Sequence, residues 1–287
     1  MERGRLILTS GSSWRWSLTR QGTRTGCASP RERGAVQIQD HLSLAIGGVP
    51  LTLHFPGPEL RAAALSRYSA FSCSGENALP IHLETAPGPP APSAVFQYAH
   101  EGSHVWLNGA AAHFSGVRNG YALDSLLRVL LTWLLLPQQG FLLHAATVER
   151  EERAYIFTGR SEAGKSTVAS LAPAGSVLTD EISLLRREEN SWRAHGTPFW
   201  GEFRAEGSNR SAPIAGIFAL VKAAENAVRP LPPREALRAL LPNVLFFSSD
   251  AAASARLLDL LAEGVTQIPC FELRFRRDAS FWEVLPR

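Results

Sequence analysis

The stretch Gly159-Arg160-Ser161-Glu162-Ala163-Gly164-Lys165-Ser166 sets two glycines, a lysine and a hydroxyl at the spacing G-x-x-x-x-G-K-[ST]. That spacing suits phosphate. Glycines let successive backbone N–H groups turn toward one point, and a helix opening at the lysine aims its positive end there as well. A lysine so placed reaches the β- and γ-phosphates of a nucleotide, while the Ser166 hydroxyl, followed by Thr167, is set to ligate Mg²⁺. The residues before the loop, "AYIFTG", read as a strand, and those from Ser166 to about Leu171 as a helix stopped by Pro173. The only other lysine is Lys222, arginine serving elsewhere, so a lysine inside this loop stands out.

What happens at a bound phosphate depends on carboxylates. Asp180 and Glu181 close the run "SVLTD", and a parallel strand beside the loop strand would bring them to the phosphate end. An acid there can hold Mg²⁺, orient an attacking hydroxyl or accept its proton. His144 lies in the apolar run "FLLHAATV"; if this run and the loop strand form a hairpin through "EREER", His144 falls at the same edge. A lone histidine in an apolar strand is more often a packed, hydrogen-bonded core residue, and spacing alone does not give His144 a functional role.

The order histidine, charged hairpin, strand, G-x-x-x-x-G-K-S, short helix, strand and acidic pair resembles the catalytic domain of HPr serine kinase/phosphorylase. The likeness is greater to the HPr-kinase-like proteins, some of which modify peptides. It covers roughly residues 138–287, with its specific part between His144 and Glu181. The resemblance implies an α/β P-loop kinase domain with a phosphoenolpyruvate-carboxykinase-like fold and MgATP as phosphate donor. It implies nucleotide contacts from Gly159, Arg160, Ser161, Glu162, Ala163, Gly164, Lys165, Ser166 and Thr167, and metal contacts from Ser166, Asp180 and Glu181. Asp180 is then the base, with His144 and Lys165 beside the phosphates. The chain departs from the pattern in three places: its acid pair is Asp-Glu rather than two aspartates, Pro173 shortens the helix, and the family's glycine-rich downstream segment with its arginine is missing. "HGTPFWGEFRAEGSNRSAPIAGIFAL" stands there instead, with Glu202, Arg204 and Arg210 either within reach of substrate or solvated on a surface loop.

These features support a kinase that moves a γ-phosphoryl from MgATP to a hydroxyl of a protein, peptide or small molecule; HPr itself is not implied as the acceptor. The alternative is a nucleotide-gated binding or scaffold protein with little or no transfer. A GTPase reading lacks a guanine-reading N/T-K-x-D.

The elements that must hold this site divide the chain into three. Residues 1–36 carry seven arginines against two glutamates, a charge of +5, so with +3 overall the remainder is near −2. The basic character therefore belongs to a tail read as disordered, and neither a nucleic-acid partner nor a membrane is expected. Residues 37–120 read as a small, largely antiparallel α+β domain: a hairpin around Gly47-Gly48, a helix from Pro58, and strand-like pieces split by glycines and prolines. Residues 121–287 form the kinase-like domain. Its most apolar run, "VLLTWLLL", has eight residues and is too short to cross a ~30 Å hydrocarbon core. Three cysteines, Cys27, Cys73 and Cys270, are far apart and read as free thiols of a cytoplasmic protein. Self-association is left open. A chain starting at Val36 is expected to keep its solubility and its ATP affinity in a calorimetric titration; loss of either would show that the tail packs on the core.

Overall fold

The computed structural model describes residues 40–88, 90, 94–201 and 207–286, together with the backbone of 5–9 and 13–17. Those two short segments, β1 (Arg5–Thr9) and β2 (Ser13–Ser17), pair antiparallel. The expectation of a wholly irregular tail is thereby corrected: Ile7, Thr9, Trp14 and Trp16 are strand formers, and they pair without needing a long-range period. The rest of the tail, Cys27 included, lies outside the described residues.

A first mixed sheet follows. Its strands are β3 (His41–Ile46), β4 (Val49–His54), β5 (Leu79–Leu83), β6 (Phe96–His100), β7 (Ser103–Leu107) and β8 (Ala112–Ser115), with helix α1 (Pro58–Tyr68) inserted after β4. The order is β3-β4-β5-β8-β7-β6, with β4–β5 and β5–β8 parallel and the other three pairs antiparallel. The β3–β4 turn has both glycines left-handed, Gly47 at φ +57° and Gly48 at φ +77°, the geometry a two-residue hairpin favours. A side chain at Gly47 would also come within 2.3 Å of Leu184, and Arg186 donates to the Gly47 carbonyl at 2.6 Å. The hairpin tip thus rests on the second sheet.

That second part runs α2 (Gly120–Leu135), β9 (Gly140–Arg150), β10 (Arg153–Thr158), α3 (Lys165–Ser170), β11 (Val177–Thr179), β12 (Ile182–Glu188), β13 (Ser191–His195), β14 (Ser211–Lys222), β15 (Ala227–Pro230), α4 (Pro233–Leu240), β16 (Val244–Leu245), α5 (Ala251–Gln267) and β17 (Cys270–Phe275). The strand order is β10-β9-β12-β13-β14-β17-β15, and β10 also pairs with β14. Five strands, β10, β9, β12, β13 and β14, therefore close on themselves, the long β9 pairing with four strands and β14 with three. The hairpin expected through "EREER" is present, with Glu151 and Glu152 left-handed at its turn. One expectation needs correcting: β11 does not lie beside the loop strand β10. It pairs antiparallel with β9, which separates the two, so β11 runs in the same direction as β10 but one strand removed.

Helix α2 lies between the sheets. Asn119 caps it by accepting from the Ala122 amide at 2.9 Å, and Leu123, Leu126, Leu127, Leu130 and Leu131 bury in a core shared with the first sheet and with Leu142, Ile182 and Leu184. The apolar run is thus part of a longer helical stretch. Gly120–Gln138, 19 residues, is long and apolar enough to span a membrane by length and composition, and 56% of it is buried inside the protein. Each leucine so buried contributes ~1.5–3 kcal/mol. Although α2 starts at the sequence boundary between residues 120 and 121, its leucines complete the core of the first sheet.

On the outer face of that sheet His41, His54, His82 and His113 stand on adjacent strands in register, and Trp106 extends the row. Neighbouring ring centroids are 6.0, 5.0, 5.2 and 5.2 Å apart. Burial and then the charge of His82 and His41 hold His54 below the ordinary value of 6.5; burial and then His82 do the same for His113. Below about pH 6.5 the unfolded chain takes up protons at these residues that the folded row resists, so stability present above that pH is lost as pH falls through it. The melting temperature is expected to drop between about pH 7.5 and 5, and His82→Gln to flatten that dependence, as read by calorimetry. A profile identical in the variant and the parent would contradict the coupling.

Candidate functional site

The loop between β10 and α3 forms one wall of a cavity of about 1010 Å³. At its base Gly164, left-handed at φ +116°, caps α3; a side chain there would meet the Phe275 ring at 3.0 Å. Lys165 turns back over the loop and donates to the carbonyls of Gly159 at 2.9 Å and Arg160 at 3.2 Å. Burial lowers its pKa, with Glu181 opposing. The Ser166 side is exposed to the cavity, which Ser161, Glu162 and Thr167 also line.

Asp180 and Glu181 follow β11 and line the same cavity. Asp180 is buried and its Oδ1 accepts from the Gly201 amide at 3.1 Å. The Glu181 carboxylate faces Arg128 of α2, with contacts of 3.4 and 3.5 Å, while its carbonyl accepts from the Ala145 amide at 2.9 Å. His144 on β9 pairs in register with Ile182, directly after the acids, and Thr158 donates to its carbonyl at 3.0 Å. The imidazole lines the same cavity. Burial, then the charges of Lys165 and Arg128, push its pKa down to about 4, so the ring is neutral at pH 7. Lys165, Ser166, Thr167, His144, Asp180 and Glu181 therefore meet at one cavity, as does the loop from Ser161 to Glu162; Gly159, Arg160 and Ala163 border a separate hollow on the loop's other side.

Several residues that close the cavity were not singled out from sequence. Asp124, one turn before Arg128 on α2, is buried; Arg67 of α1 donates to it from Nε at 2.7 Å, and the Tyr68 hydroxyl also donates to it. Burial raises the Asp124 pKa against the opposing pull of Tyr68 and Arg67, and burial together with Asp124 raises Tyr68 well above its usual 10.0. Arg67 packs over the Trp200 ring at 4.3 Å and Arg128 over Phe199 at 5.2 Å. The signal available was the pair of charges four residues apart in "GYALDSLLRVLLTWLL". The segment after β13, rich in charge by sequence, lines the cavity through Trp200 and Gly201, with Phe199 buried against Arg128. Glu202 and Arg204 lie outside the described residues. Arg210 is turned away: it holds Glu149 at 2.8 Å and the Gly175 carbonyl at 2.6 Å, bracing β11 rather than lining the cavity.

Fold and site together define a mixed α/β protein of two sheets whose glycine-lysine loop faces an acid pair and a neutral histidine. A family model described as "SynChlorMet cassette protein ScmC" matches residues 124–287, more than half of the chain, and the chain belongs to that family. No curated protein matches it. Among solved structures, the Hpr(Ser) kinase/phosphatase from Coxiella burnetii is similar at 14% identity and a TM-score of 0.25, over 43% of this chain and 88% of that one. A score of that size carries no argument about the fold.

The electrostatics of the cavity can be read from His144. Its ring is expected to titrate near pH 4 by nuclear magnetic resonance, and Lys165→Met to raise that midpoint by removing the neighbouring charge that acts on it more strongly. A midpoint at 6.5, unmoved by the substitution, would contradict the placement of the ring beside these cations.

Proposed function

We propose that this protein is an ATP-dependent phosphotransferase of the HPr-kinase-like type, with a phosphoenolpyruvate-carboxykinase-like P-loop domain. It would move the γ-phosphoryl of MgATP to a hydroxyl of a protein, peptide or small-molecule acceptor. The observation that carries the reading is the shared cavity, lined by Lys165, Ser166, Asp180, Glu181 and His144.

The residues suit the donor. Gly164 leaves the loop amides uncovered at the start of α3, and the Lys165 amine sits on the loop's own carbonyls at the cavity wall. Among the described residues no three His, Cys, Asp or Glu side chains gather to hold a metal alone. Mg²⁺ in a nucleotide site needs no such cage, since it keeps waters and takes one or two protein oxygens beside the phosphates. Ser166, Asp180 and Glu181 would supply those oxygens. Bound MgATP would provide the phosphoryl group and spread its negative charge.

The protein's part is positioning and charge. Lys165 and the loop amides offset charge developing on the phosphoryl oxygens. Asp180, fixed by the Gly201 amide, accepts the proton of the acceptor hydroxyl. His144, neutral at pH 7, orients the acceptor or a phosphate oxygen by a hydrogen bond rather than by charge.

Asp180→Asn keeps the shape and the Gly201 contact while removing most of the basicity. Incubated with γ-labelled ATP and lysate of the source cells, the variant is expected to label the acceptor ~10²–10⁴-fold more slowly than the parent. Should the parent itself label nothing while both bind ATP alike, transfer is excluded and a nucleotide-gated scaffold takes its place.

A further inference from the structure

Three cationic side chains line the cavity from outside the loop: Arg67, Arg128 and Arg277. Their surroundings differ. Arg67 is closely paired, with Nε 2.7 Å from Asp124 and its plane on Trp200. Arg277 is exposed at the rim. Arg128 is neither. Its side chain is 21% exposed, its contacts to Glu181 are 3.4 and 3.5 Å, and Asp124 lies 4.0 Å away. Its buried Nε has no hydrogen-bond partner. Charge-assisted N–H···O bonds settle at ~2.7–2.9 Å, so this guanidinium is held by charge without a close bond. It also stands where its charge is felt by His144 together with that of Lys165.

A half-buried guanidinium with spare donors, lining one cavity with a phosphate-type loop, has unused capacity for an oxyanion. Asp124 and Phe199 set its reach, since the first lies one helical turn back and the second packs under its plane. Glu181 keeps it compensated meanwhile, and such compensation is required of a charge that is largely out of water. The arginine comes from α2, upstream of the loop, in a chain whose downstream stretch offers no described arginine to this cavity except Arg277 at the rim.

Resting on the nucleotide reading above, we infer that Arg128 is the side chain that reads the terminal phosphate, so that the site distinguishes a nucleoside triphosphate from a diphosphate. The guanidinium fork would donate to γ-phosphoryl oxygens on the face opposite Lys165. Loss of a hydrogen bond to a charged group corresponds to about 10- to 100-fold in affinity.

Calorimetric titration of the full chain with MgATP and with MgADP tests this without any acceptor. The parent is expected to bind MgATP at least about tenfold more tightly than MgADP. Arg128→Met, which keeps the stem over Phe199, is expected to bring the two affinities within about threefold, chiefly by weakening ATP. Arg128→Lys, a point charge without the fork, is expected to fall between and decides the matter if the methionine variant does not fold. A ratio unchanged in a folded Arg128→Met, or a full parental ratio in Arg128→Lys, would overturn the inference and leave Arg128 a structural brace. A parent that binds both nucleotides equally would overturn it too, with the nucleotide site intact. A parent that binds neither removes the nucleotide reading itself.

Discussion

A carboxylate taken out of water must be met by donors and opposite charge, and Asp124 is the place where this protein meets that demand with three side chains from two helices. Arg67 and Tyr68 come from the helix of the first sheet, Arg128 from one turn along α2. Removing one partner from such a buried group typically costs ~3–5 kcal/mol, because the charge stays behind uncompensated. The pairing therefore fixes how α1 meets α2, and through Arg128 it fixes where Glu181 sits beside Asp180. The first sheet, which supplies no loop residue, thereby helps to build the cavity wall. The Gly47 hairpin tip against Leu184 and Arg186 is the second such bond between the two parts.

The cavity collects the positive charges of Lys165 and Arg128 and keeps a neutral imidazole within their reach. Burial and two cations deny His144 its proton, so the ring can accept or donate a hydrogen bond without adding charge. Lys165, Arg128 and the α3 N-terminus make an environment suited to an anion, and the acid pair supplies the opposing charge at which a cation or a proton would be held.

Local chemistry was legible where it is local. The loop, its preceding strand, the short α3 and the "EREER" hairpin all follow from spacing, glycine and β-branched runs, and so does the glycine turn at Gly47-Gly48. The relation of β11 to β10 was not, because pairing order depends on which strand intervenes and β9 took that place. Strand β12 escaped notice because Ile182, Ser183, Leu184 and Leu185 are all buried, which erases the alternation that marks a half-exposed strand. Asp124 and Arg128 left a trace as isolated charges in an apolar helix, whereas nothing in "ELRAAALSRY" marks Arg67 and Tyr68 as their partners. Contacts between elements far apart in the chain carry no local signature.

We propose that Gly159–Ser166 holds the phosphates of MgATP through Lys165. Calorimetric titration of the parent and Lys165→Ala with MgATP tests it most directly. The account expects one nucleotide per chain in the parent and at least a tenfold loss of affinity in a variant that remains folded, since a hydrogen-bonding point charge at the phosphates has been removed. Equal affinity in the two proteins, or no binding by the parent, would contradict it.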